Sequence, residues 1–186
     1  MLKDYVFGYG SLVNHSTHNF KPYFKDTLSG WTRTWRATND NLYSYLSIIP
    51  DKKTKSDGLL VQISKNERNL LDEREKGYTK ITTSDLILNK QIIRPKLYLI
   101  SENRHQKSNS KQIILLSYID CVIKGFLDHY GQPGVDKFFE TTTNWEGVIK
   151  NDRLSPLYPR NIRLTEVERK LVDIKIEGLP NTVIRT

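Results

Sequence analysis

Two short runs in the sequence carry residue types that together could manage an acyl transfer. Near the N-terminus, Val6-Phe7-Gly8-Tyr9-Gly10-Ser11-Leu12 closes an apolar strand with two glycines bracketing a tyrosine, followed by a hydroxyl residue. A glycine turn of this kind lets a ligand approach the main chain closely. It can also aim bare N–H groups at a carboxylate or a developing oxyanion. About sixty-five residues later, Leu71-Asp72-Glu73-Arg74-Glu75-Lys76-Gly77-Tyr78 ends a short helical pattern in acidic side chains. A carboxylate at a helix C-terminus meets the negative end of the helix dipole, which raises its pKa toward values useful for proton transfer. Asp72 and Glu73 add like charge while Arg74 and Lys76 oppose it, so the net shift has no sign at this level. Helical spacing sets Glu73 and Glu75 near the two edges of the face marked by Leu70 and Leu71, and does not choose between them.

Other chemistries find less support. Ser11 has a nucleophile reading, but no His or Lys stands in a recognisable partnering motif, so an acyl-enzyme is not expected. His15 and His18 are three apart with no third ligand beside them, and His105 and His129 lie in loops or at helix ends, so no metal site is expected. Cys121 is the single cysteine; it excludes an internal disulfide and reads as an inert buried thiol on a helix. No cofactor is expected.

The elements that must position these residues follow from periodicity. Strands are expected at Tyr5–Tyr9, Trp31–Ala37, Leu42–Ile49 and Gly58–Ile63, with Pro50-Asp51-Lys52 as a turn between the last two. Trp31, Arg33 and Trp35 share one strand face. Ser64-Lys65-Asn66-Glu67 is a capping box, which opens a helix of about three turns that Gly77 is placed to end. Thr79–Leu88 and Ile92–Ile100 read as strands joined by the hairpin Leu88-Asn89-Lys90-Gln91. From Lys111, Leu115, Ile119, Val122 and Phe126 recur with the spacing of one buried helical stripe that ends near Gly131. Shorter helices are expected at Val135–Thr141 and Thr165–Val172, with an irregular stretch from Asn144 to Arg163 containing Pro156 and Pro159.

Composition sets the class. The chain has 186 residues, 37% hydrophobic and 27% charged, which suits one folded domain with a real core. Its net charge of +8 would suit nucleic acid or an acidic small substrate, but the Lys and Arg residues are scattered. The tightest groups, Lys52-Lys53-Thr54-Lys55 and Arg104-His105-Gln106-Lys107, fall in expected loops, so no nucleic-acid partner is expected. No run approaches a membrane span and the start lacks a signal-peptide pattern, so a cytoplasmic location is expected.

Taken together, Phe7-Gly8-Tyr9-Gly10-Ser11-Leu12 and Leu71-Asp72-Glu73-Arg74-Glu75-Lys76-Gly77-Tyr78 resemble the γ-glutamylcyclotransferase-like family, over roughly residues 5–100. That family includes the glutathione-degrading ChaC branch and enzymes acting on γ-glutamyl amines and γ-glutamyl amino acids. The resemblance implies an α+β fold: a small mixed β-barrel flanked by helices, with a helical C-terminal extension. It implies one domain over residues 1–186, with its core at about 3–100 and its helical part at about 108–186. It also implies release of 5-oxoproline, with the substrate's own α-amine attacking its γ-carbonyl. Glu75 matches the family's acid/base glutamate. The loop Tyr9, Gly10, Ser11 and Leu12 matches the cradle of the γ-glutamyl part, and Tyr78 and Tyr98 match pocket tyrosines. Leu12 after the serine is as in the glutathione-type branch, but that position alone assigns no substrate. The partner implied is a small γ-glutamyl molecule; a protein of this fold that binds it without turnover is the alternative. Thr141-Thr142-Thr143-Asn144-Trp145-Glu146-Gly147, Asn151-Asp152-Arg153 and Tyr158-Pro159-Arg160 look like a C-terminal extension found in bacterial members, with no chemistry assigned to it.

Overall fold

A computed structural model describes residues 4–83, 85–106, 112–179 and 182–185. Its central element is a sheet built from β1 (Asp4–Gly8), β2 (Tyr23–Thr38), β3 (Asn41–Ile63), β4 (Thr79–Thr82), β7 (Lys96–Leu99) and β9 (Thr142–Thr143), in the order β4-β7-β1-β3-β2-β9. β1 runs antiparallel to β3 and parallel to β7, and β2 and β3 form one long antiparallel ribbon. Between β4 and β7 lies the hairpin of β5 (Leu86–Leu88) and β6 (Gln91–Ile93). Its turn falls on Asn89 and Lys90, both at positive φ (49° and 66°), as a two-residue hairpin with the right twist requires.

The sheet is not closed, which corrects the expected barrel. Closure needs the two end strands to offer each other a free ladder. Here β4 has four residues and β9 only two. Asn144, at φ 63°, turns the chain away directly after β9.

A second departure concerns Pro50. The strands expected at Leu42–Ile49 and Gly58–Ile63 are parts of the single strand β3, and Pro50 is no turn. It sits opposite Trp31, next to the register shift between Ser29 and Trp31 where Gly30 adopts φ 81°. A proline, lacking an N–H, fits within a sheet where a bulge has already broken the ladder.

Helix α1 (Lys65–Arg74) begins with the expected capping box, the Ser64 side chain accepting from the Glu67 N–H and the Glu67 carboxylate from the Ser64 N–H. It stops earlier than expected, because Glu75 caps it and a turn follows in which the Tyr78 N–H donates to the Glu75 carbonyl at 2.8 Å. Helix α2 (Leu116–Thr141) starts five residues after the expected Lys111, since Ile113–Leu115 form strand β8. β8 pairs in parallel with β10 (Gly147–Lys150), which pairs with β11 (Thr182–Arg185). The helical part therefore carries its own three-stranded sheet. α2 breaks at Gly131 (φ 64°), two residues before Pro133, and α3 (Glu166–Glu177) follows its own capping box at Thr165.

The core joins both parts. Phe7, Leu59 and Leu97 from the sheet pack with Val122, Phe126 and Phe138 from α2 and with Val172 from α3. Each such burial contributes about 1.5–3 kcal/mol. Trp35 is fully buried and meets Trp145 edge-on, so these two tryptophans are core residues. No helix among the described residues is long and apolar enough to cross a membrane.

Candidate active site

β1 ends at Gly8 and delivers the chain into a single 3₁₀ turn, Ser11–Val13. Neither Gly8 nor Gly10 uses a left-handed conformation; both are needed for room. A Cβ on Gly8 would lie 2.6 Å from that of Leu12, and one on Gly10 2.9 Å from the Tyr118 hydroxyl and 3.3 Å from Leu46. Because the turn has just begun, the N–H groups of Ser11 and Leu12 have no backbone acceptor among the described residues. Asn14, fully buried, fixes the far side of the turn by donating to the Cys121 carbonyl at 2.8 Å and accepting from the Ser16 N–H at 3.1 Å. Replacing Gly10 by Ala forces Tyr118 or the loop aside. The expected result is at least a ten-fold loss of turnover with about 1–3 kcal/mol of destabilisation, measured by steady-state kinetics and urea unfolding.

Glu75 follows α1 and turns inward. Its side chain is 11% exposed, against 73% for Glu73, so of the two it is Glu75 that is buried. Arg74, 8% exposed, links the two sequence runs. Its Nε donates to Glu75 Oε1 at 3.1 Å, its Nη2 to Ser11 Oγ at 3.2 Å and to Thr17 Oγ1 at 3.1 Å, and its Nη1 to the Thr17 carbonyl at 3.1 Å. The partner of the Ser11 hydroxyl is thus a guanidinium, which cannot serve as a base.

The Glu75 carboxyl has its pKa raised by burial, partly opposed by the charges of Arg74 and Arg160. Asp72 and Glu73, expected to add like charge, are both engaged by cations elsewhere. Asp72 is held low by Lys80, 2.8 Å away, and by the Tyr98 hydroxyl that donates to it, and Glu73 pairs outward with Lys76. A raised folded-state pKa means the folded protein holds a proton the unfolded chain has lost. Stability contributed at Glu75 is therefore fullest at low pH and falls as pH rises from its ordinary 4.5 through the raised value. Glu75→Gln should lack that fall, so its stability relative to the parent should increase across the same window in urea melts taken at several pH values.

All seven residues singled out by resemblance line one narrow recess: Tyr9, Gly10, Ser11, Leu12, Glu75, Tyr78 and Tyr98. The recess has a volume of about 30 Å³, room for a carboxylate-sized group. Three tyrosine hydroxyls are already engaged: Tyr9 donates to the Tyr98 carbonyl, Tyr98 to Asp72, and Tyr78 to the Leu46 carbonyl at 3.2 Å. These residues offer ring faces rather than free hydroxyls. Burial, with the Glu75 charge reinforcing it, raises the phenols of Tyr9 and Tyr78 well above 10, so both stay neutral. Among the described residues Glu75 is the one carboxylate on the recess wall.

A wider cavity of about 740 Å³ opens beside the recess and shares Ser11, Glu75, Tyr78 and Tyr118 with it. Sequence reasoning missed Tyr118, Tyr158 and Arg160. Tyr118 flanks the buried stripe of α2, a position that could have flagged it. Its hydroxyl makes no hydrogen bond with a described residue and its ring meets that of Tyr158 edge-on at 4.9 Å. Nothing local in the sequence joins Tyr158 and Arg160 to this wall.

The histidines stand outside both spaces. The ring of His18 bonds the Leu12 carbonyl at 3.0 Å, and burial lowers its pKa to about 4, so it braces the loop as a neutral imidazole. His15 and His129 meet at 3.2 Å, a contact their sequence separation conceals. Among the described residues no three His, Cys, Asp or Glu side chains gather as a metal site. Cys121 is buried, which pushes its thiol up to about 12.

The whole chain is similar in fold to solved structures that include a protein named gamma-glutamyl cyclotransferase, with TM-score 0.57, 14% identity, and 93% of this chain and 99% of that one covered. It is likewise similar to the Homo sapiens protein loc79017 (TM-score 0.58, 14% identity, 92% and 98% covered) and to YkqA from Bacillus subtilis (TM-score 0.57, 14% identity, 77% and 57% covered). At these identities the likeness concerns the fold. Residues 4–124 match the ChaC-like protein family, and the chain belongs to that family. No curated protein sequence matches it.

Proposed function

We propose that the protein is a γ-glutamylcyclotransferase that converts a small γ-glutamyl substrate into 5-oxoproline and a free amine. The observation that carries this reading is the joining of Glu75 to the glycine loop through Arg74, which leaves one buried carboxyl beside unpaired loop N–H groups.

Ring closure is intramolecular, so the protein's tasks are to hold a folded conformer and to move protons. The α-ammonium must lose a proton before its nitrogen can attack. Glu75, ionised, takes it. The nitrogen then bonds to the γ-carbonyl carbon, and the oxygen gains negative charge where the Ser11 and Leu12 N–H groups can donate to it. Collapse of the tetrahedral carbon breaks its bond to the leaving nitrogen, which receives the proton from Glu75. The ring nitrogen, which holds two protons after attack, gives one up through the same carboxylate, and the amine leaves as an ammonium ion. The carboxyl ends as it began, ionised, and the burial that raises its pKa suits it to both directions of transfer. The neutral phenols of Tyr9 and Tyr78 wall the reacting groups from water without competing for the proton.

The test is incubation with a panel of γ-glutamyl amino acids, γ-glutamyl peptides and γ-glutamyl amines while 5-oxoproline is followed by chromatography. Turnover of at least one member is expected. Saturable binding with no product from any member would replace the proposal with a non-catalytic binding role.

A further inference from the structure

Four cationic side chains line the wide cavity: Arg74, Lys76, Arg104 and Arg160. Three are already engaged: Arg74 with Glu75 and the loop, Lys76 with Glu73, and Arg104 with Asp40 at 2.5 Å. Arg160 forms no ion pair with a described residue. Its Nε is buried without a hydrogen bond, and its guanidinium faces the Tyr158 hydroxyl, which also faces Ser11. A buried guanidinium Nε left unmatched on a cavity wall is costly unless a ligand completes it.

The wall is firmly built. Asp152, itself buried, accepts from the Ser117 N–H at 2.8 Å, the Ser117 hydroxyl at 2.6 Å and the Leu157 N–H at 2.8 Å, fixing the segment to the first turn of α2. Arg153 adds a two-pronged bond to Asp120 at 2.7 and 2.8 Å. Tyr158 then packs on Tyr118, and the Arg160 guanidinium lies 5.6 Å over the Tyr158 ring, which holds it in place. Asp152, Arg153, Tyr158 and Arg160 lie beyond residue 124, where the family match ends.

The two spaces divide a substrate. The recess takes only a small terminal group, and the shared wall of Ser11, Glu75, Tyr78 and Tyr118 marks where the reacting bond must lie. The leaving part then occupies the wide cavity, the side that Arg160 lines. We propose that Arg160 binds a carboxylate on the leaving part, so that the site selects γ-glutamyl amino acids or peptides over γ-glutamyl amines. Bidentate pairing with a carboxylate suits a guanidinium, whose planar fork of donors matches the two oxygens. A cationic amine would meet the same charge as repulsion. The inference rests on the cyclotransferase reading above.

The experiment compares γ-glutamylalanine and γ-glutamylalanylglycine with their C-terminal amides, in the parent, Arg160→Gln and Arg160→Lys. The parent should favour the acids by about ten-fold or more in kcat/KM. Arg160→Gln should erase that preference, chiefly by raising KM for the acids, and Arg160→Lys should restore part of it. Equal loss on acids and amides would overturn the proposal, because Arg160 would then act only through the charge of Glu75 or through folding. A parent that turns over acids and amides equally would also overturn it while leaving the cyclotransferase reading intact. A parent that releases no 5-oxoproline from the four but does so from a γ-glutamyl amine would overturn the proposal and keep the cyclotransferase reading, and release from none of these compounds would remove both.

Discussion

Glu75→Gln is expected to lower kcat by about 10²–10⁴-fold while changing KM little, because it removes the group proposed to carry the proton from the attacking to the leaving nitrogen. Glutamine keeps the side-chain oxygen that accepts from Arg74 Nε, so the clamp from Arg74 to Ser11 should persist. The isosteric change isolates proton transfer from loop positioning. Steady-state release of 5-oxoproline, with circular dichroism to confirm the fold, reads the effect. A variant that retains more than about a tenth of the parental kcat would assign the proton transfer to another group.

Arg33→Ala is expected to destabilise the protein by about 3–5 kcal/mol. Arg33 is fully buried in β2, and its guanidinium donates to the Asp57 carbonyl at 2.8 Å, Thr141 Oγ1 at 2.9 Å and Thr142 Oγ1 at 3.2 Å. It also lies 5.2 Å over the Phe126 ring and 4.9 Å over Phe138. One side chain thereby ties β2 and β3 to the end of α2. Truncation leaves a cavity between two aromatic rings and strands at least one buried acceptor. Arg33→Met, which refills most of the volume, should lose clearly less. Urea unfolding monitored by tryptophan fluorescence measures both. A loss under about 1 kcal/mol for the alanine variant would contradict this placement of the cation.

Local signals were legible where their physics is local. The Ser64–Glu67 capping box, the Asn89-Lys90 hairpin turn and the break at Gly131 each depend on a few neighbouring residues, and each stands where the pattern puts it. A glycine turn after a strand and an acidic helix end have a chemical reading before any folding, which is why the loop and Glu75 stand out in the sequence as candidates, and the fold brings them to one recess. Pro50 misled because its tolerance within β3 depends on the Gly30 bulge in the facing strand. The open sheet was hidden because closure is decided by the lengths of β4 and β9, which lie far apart in the chain. Tyr158 and Arg160 join Tyr118 at the cavity beside the Asp152–Ser117 anchor, a contact spanning thirty-five positions that no periodicity reveals. The burial of Arg33 between two tryptophan-flanked strand positions was equally opaque, since a strand face of mixed character does not say which side meets water.

The most direct measurement of the central claim is the fate of the γ-carbonyl in water enriched in oxygen-18. Attack by the substrate's own amine predicts 5-oxoproline free of the label in equimolar amount with the released amine, and no glutamate. Glutamate carrying oxygen-18 would instead mean that water attacks the carbonyl, which contradicts cyclisation at Glu75.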